Sequence, residues 1–174
     1  MAGERYTRTN QKIFYAGLAL ESWRKAEESR AMNAQALVQA EREAALFHLY
    51  GALLGLCHEI AGYYRLPNDS AVRAEDLLQA QRLSEAPAPE LAELIELAGN
   101  EQTWLAQLLA AYGQLFRPPQ PPRESKASPD ASLIQAVSLN ADEPGTPLTR
   151  DALESWRQEL KALAQRFRGG LSEW

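Results

Sequence analysis

The chain has 174 residues, 45% of them hydrophobic and 24% charged, with a net charge of −5 and one cysteine. That length suits a single domain with its own core, and the ordinary composition excludes a chain disordered throughout. Cys57 alone rules out an internal disulfide framework, and the acidic balance argues against nucleic acid, whose recognition rests on a basic face.

The opening residues Met1-Ala2-Gly3-Glu4-Arg5-Tyr6-Thr7-Arg8 hold no apolar run of the kind a secretory leader needs, so a cytoplasmic location is the expectation. Thr9 or Asn10 can cap a first helix that runs to about Ser29, with Ile13, Ala16, Leu20 and Trp23 on one face at 3/4 spacing. Residues 1–30 carry six Lys/Arg against four Asp/Glu.

Asn33 is a candidate cap for the second and longest helix, which nothing interrupts before Pro67. A rod over 33–65 spans roughly 45 Å and is apolar or small nearly all round from Ala44 to Tyr64. Such a helix lies at the centre of a bundle or in a membrane. His48, His58 and Glu59 within the stretch argue against the membrane, because charge there is costly.

After the break at Leu66-Pro67-Asn68, the spacing predicts a third helix over about 70–85, a short fourth from Glu90 to Ala98, and a fifth from an Asn100 cap to Phe116. Residues 69–116 hold eight Asp/Glu and two Lys/Arg, so an acidic middle faces basic ends, an arrangement suited to charge complementarity between packed helices. Residues 117–148 then take seven of the ten prolines around one apolar island, Leu133 to Leu139. A segment so rich in proline cannot continue a helix and reads as a connection wrapping the bundle. A last helix starts near Thr149, reaches Phe167 and stops at Gly169-Gly170, with Leu153, Trp156, Leu160, Ala164 and Phe167 as its apolar face. The hexapeptide Ala-Leu-Glu-Ser-Trp-Arg stands at both 19–24 and 152–157, which predicts alike packing roles for the first and last helices.

The expected fold is therefore all-α, a five- or six-helix, mostly antiparallel bundle around a long central helix. One domain covers 1–174, with a core over 1–116, the connection over 117–148 and a docking helix over 149–168.

Five groups of side chains could carry function. Ala40, Ala44, Gly51, Gly55 and Gly62 form a small-residue stripe on the long helix, including a Gly-x-x-x-Gly. Each helical glycine costs about 1 kcal/mol relative to alanine, so the stripe points to close helix crossing, within the chain or in a homodimer. Glu41, His48, His58 and Glu59 form a polar seam on the same helix, but the two histidines stand roughly 15 Å apart by helix rise, too far for one metal ion. Arg42 and His48 match a loose Arg-x5-His spacing used by nucleases built as small helical bundles, yet the two point about 120° apart around a continuous helix. Arg150, Arg157, Lys161 and Arg168 line one edge of the last helix, where long basic side chains commonly cover the rim of an apolar face. Pro118 to Arg123 could serve as a polyproline ligand.

No phosphate loop, Cys-x-x-Cys, Gly-x-Ser-x-Gly or His-Glu-x-x-His occurs, and no metal or cofactor is expected. The leading reading is an interaction or adaptor protein that binds another protein through helical surfaces. A metal-independent nuclease using Arg42 and His48 is the alternative, and membrane association through 45–64 the next.

The runs Tyr6-Thr7-Arg8-Thr9-Asn10-Gln11-Lys12, Gln39-Ala40-Glu41-Arg42-Glu43-Ala44-Ala45-Leu46-Phe47-His48-Leu49-Tyr50 and His58-Glu59-Ile60-Ala61-Gly62-Tyr63-Tyr64-Arg65-Leu66-Pro67 resemble a family of uncharacterised small helical proteins from pseudomonads and relatives. The resemblance covers most of the chain. It implies a bacterial cytoplasmic protein and transfers no catalytic residue.

Overall fold

A computed structural model describes residues 2–118 and 148–172, all of them in helices, turns and connecting segments. The described residues form six α-helices: α1 (Ala2–Glu28), α2 (Ala34–Tyr63), α3 (Arg82–Glu85), α4 (Pro89–Gly99), α5 (Trp104–Gln114) and α6 (Arg150–Ser172). A 3₁₀ turn, Ala74–Asp76, lies between α2 and α3, and no strand occurs among the described residues. Most of the proline-rich connection, with its island Leu133 to Leu139, lies outside them.

Helix α2 is one unbroken rod of 30 residues, as its sequence requires, and its second half supplies much of the core. Leu49, Leu53, Leu56 and Ile60 are fully buried against α1, α5 and α6. Its end is a Schellman motif: the N–H of Leu66 bonds to Ala61 O and that of Arg65 to Gly62 O, with Arg65 at φ 53° and Leu66 buried beneath. Proline at 67 enforces the stop.

Helix α1 packs antiparallel along α2. Helix α6 lies antiparallel to α1, since Arg150 meets Glu27, Arg157 meets Gly17 and Arg168 meets Asn10. It therefore runs parallel to α2, a pairing that the long excursion through α3, α4 and α5 permits. The repeated hexapeptide does pack alike in its two copies. Leu20 and Trp23, and their counterparts Leu153 and Trp156, are buried in one cluster. Arg24 grips Glu21, and Arg157 grips Glu154, by the same i,i+3 ion pair. The expected complementarity of ends and middle is also realised, in Arg5–Asp69 and Arg166–Glu93.

Four boundaries differ from the sequence expectation. Helix α1 starts at Ala2, so Thr9 is no cap: it is buried inside the helix with its hydroxyl returned to Arg5 O. The cap signal is local, and packing of the first turns on α2 overrides it. The third helix over 70–85 is instead the 3₁₀ turn and the short α3, leaving Val72 exposed. The tie is Tyr50, whose hydroxyl accepts from Ala74 N and donates to Glu75, binding this stretch to α2. Thr103 rather than Asn100 caps α5, accepting from Ala106 N. Gly169-Gly170 does not stop α6, which continues to Ser172 and buries Leu171.

Candidate binding face on the first helix

Residues of α1 at 13, 16, 20 and 23 point inward, which turns Phe14, Tyr15 and Leu18 outward. Phe14 is 61% exposed and Leu18 51%. From Phe14 a line of rings crosses to α2: Phe14 to Tyr15 at 6.3 Å between centroids, Tyr15 to His48 at 5.4 Å, and His48 to Phe47 at 5.3 Å. Phe47 is itself 51% exposed. Large apolar groups scattered singly on a surface need no explanation, but a contiguous set does.

Cations flank this ridge on both sides. On the α2 side stand Arg8 and Lys12, one helical turn apart. The Lys12 stem lies in a slot that exists because position 51 is glycine; a Cβ there would meet its Cδ at 3.0 Å. Lys12 Nζ sits 4.5 Å over the centroid of Phe47. Burial, then the Arg8 charge, push Lys12 below the usual lysine range. His48 is pushed down as well, first by burial and then by Lys12 and Arg8, and its Nδ1 is buried without a hydrogen-bond partner.

On the α6 side is a groove of about 380 Å³ between α1 and α6, with Ile13, Phe14 and Ala164 as its apolar wall and Arg157, Lys161 and Arg168 as its basic one. Gly17 admits the Arg157 guanidinium, 3.2 Å from where a Cβ would stand. Arg157 is bidentate to Glu154. Arg168 is bidentate to Glu59, whose side chain is 1% exposed, and also donates to Asn10. With Arg150 on Glu27, two of the four basic-edge residues tie α6 to other helices by ion pairs, Arg157 pairs within α6, and Lys161 alone of the four has no ion pair among the described residues.

The remaining sequence candidates separate. The small-residue stripe is covered by α1 of the same chain: Gly51 by Lys12, Gly55 by Thr9 and Gly62 by Arg5. Ala44 is half-buried and Ala40 exposed, so the stripe is a packing seam only over its glycine half. Glu59 belongs with Arg168, while His58 donates through Nε2 to Ala71 O at 2.7 Å. Glu41 is half-buried two turns before His48, so the polar seam is not one site. Arg42 lies over the Trp23 ring and bonds to Gln39, whereas His48 lies between Tyr15 and Phe47; the two share no ring or hydrogen-bond partner among the described residues. Among the described residues no group of three or more His, Cys, Asp or Glu could hold a metal ion. Helix α2 is long and apolar enough to cross a membrane, but 67% of its most apolar window is buried inside the bundle.

Sequence reasoning missed Arg5, Thr9 and Lys12 as partners of the glycines, and Tyr15 and Phe47 as parts of a face. A signal for the first was present. Positions 5, 9 and 12 match 62, 55 and 51 in antiparallel order, a heptad-like seam that takes a side chain on one helix and a glycine on the other.

A family model described as "Family of unknown function (DUF6586)" matches residues 1–174. The chain belongs to this family. No curated protein and no solved structure matches it.

Proposed function

We propose that this chain is a non-enzymatic, bacterial cytoplasmic interaction protein that binds another protein through the outer face of α1. The contiguous exposed ridge of Phe14, Leu18, Tyr15 and Phe47 carries the reading, because apolar groups left together on a surface gain from being covered. Arg8, Lys12 and Lys161 border the ridge and form no ion pair among the described residues, which suits an acidic rim on the other protein. Two groups often used in catalysis, Cys57 and His58, are occupied in packing. Cys57 is buried, with its thiol pushed up to about 12 by that burial, and His58 is committed to Ala71 O.

Affinity capture from the native cytoplasm tests this. A Phe14→Ser, Leu18→Ser double variant should lose a partner that the wild type and a Val72→Ser control retain, Val72 being exposed far from the ridge in sequence. Equal capture by all three proteins would remove the α1 face from the interaction.

A further inference from the structure

The geometry points to a binding site for a phosphate monoester on a flat aromatic group, at the seam of α1 and α2, with Arg8, Lys12 and His48 as its donors and Phe47 and Tyr15 as its walls. It goes beyond protein binding: it shares Tyr15, Phe47, Arg8 and Lys12 with the α1 face but not Phe14 or Leu18, so variants at Phe14 and Leu18 separate the two.

Lys12 is a cation in an unusual place. Lys12 is only 8% exposed, its stem covered, yet among the described residues its ammonium has no carboxylate within ion-pair distance and its neighbour four residues back is Arg8. Like charges at i,i+4 destabilise a helix. Here the pair is held in place rather than avoided, since the Lys12 stem is seated in the Gly51 slot and its head is fixed over Phe47. Helical glycine is unfavourable, and at 51 it serves the lysine stem.

The third donor is His48. Its Nδ1 is buried without an acceptor, and the tautomer with the ring hydrogen on Nε2, which keeps access to solvent, strands no buried N–H. Neutral at ordinary pH, this imidazole can donate one hydrogen bond beside two fixed positive charges. Arg8, Lys12 and Tyr15 face it from α1, and Phe47 lies next to it on α2. Two cations and an N–H drawn from two helices match a tetrahedral dianion better than a planar monoanion. The faces of Phe47 and Tyr15 beside them suit a ring attached to the phosphate.

The test is an NMR titration of the full-length protein with phenyl phosphate, inorganic phosphate and acetate at matched ionic strength. Phenyl phosphate should give saturable shifts at Arg8, Lys12 and His48, inorganic phosphate should bind more weakly, and acetate more weakly still. The pKa of His48 should rise on phosphate binding, because a bound anion favours the imidazolium. Lys12→Met keeps the stem and Arg8→Gln alters only an exposed residue; each should weaken phenyl phosphate about tenfold or more, the usual consequence of losing a charged hydrogen bond. The assignment is overturned if neither phosphate moves His48, if both variants bind as the wild type does, or if acetate binds as tightly as the phosphates.

Discussion

Tyr50 shows how much one hydroxyl can organise. It is buried in the second half of α2, stacks on Tyr112 at 3.8 Å, accepts from Ala74 N and donates to Glu75. Burial first, then the bond to Glu75, drives its ionisation far above the usual tyrosine range. Tyr50→Phe keeps the ring and strands a buried N–H, so it should cost about 1–3 kcal/mol in denaturant unfolding; a loss below that range would mean the 3₁₀ turn reorients to find another acceptor. His48 makes a second prediction, in pH. Because its folded pKa is depressed, the unfolded chain takes up a proton before the folded protein does. Stability should therefore fall as pH drops below about 6.5. The depressed carboxylates Glu93 and Glu154 are held down first by Arg166 and Arg157, and act only in a lower window, below about 4.5. Comparing wild type with His48→Gln between the two windows checks this, and equally steep curves would contradict it.

At the scale of elements, the α1–α2 seam explains why glycine is tolerated inside a long helix. A Cβ at Gly55 would stand 2.7 Å from Thr9 Oγ1 and 3.3 Å from its Cα, and backbone cannot swing aside. Gly55→Ala should thus destabilise by about 1–3 kcal/mol through overpacking, against the helical propensity of alanine. Gly113 in α5 has nothing within 4 Å of the same position, so Gly113→Ala should stabilise by up to about 1 kcal/mol. Opposite signs for one chemical change, read from thermal melts, are the expected result; two stabilisations would mean the helices do not approach this closely. Glycine composition alone could not separate these positions, since the difference lies in what stands opposite each.

Across the whole molecule, Arg168 joins three helices. It clamps Glu59 of α2, donates to Asn10 of α1 and covers the Tyr6 ring at 4.7 Å. Glu59 is nearly sealed from water, so Arg168→Leu leaves a buried carboxylate without its counter-ion and should cost about 3–5 kcal/mol. The double variant Arg168→Leu, Glu59→Leu should recover a large part of that loss, which a double-mutant cycle measures. If the double variant is no more stable than the single, the pair is not the source of the effect. Both residues were legible as candidates, Glu59 on a polar seam and Arg168 on a basic edge, but on different helices 109 residues apart and in different groups.

The amino-acid pattern alone determined the helical class, the unbroken rod that stops short of Pro67 and the inward faces of α1 and α6, because helix periodicity and proline act within a few residues of themselves. Tertiary structure decided that α1 begins near residue 2, that 70–85 is not one helix, that the glycines face a neighbouring helix of their own chain, and that rings and cations gather on one face of it. Those outcomes depend on which side chains meet across α1, α2 and α6, and residues far apart in sequence come together only when the bundle closes.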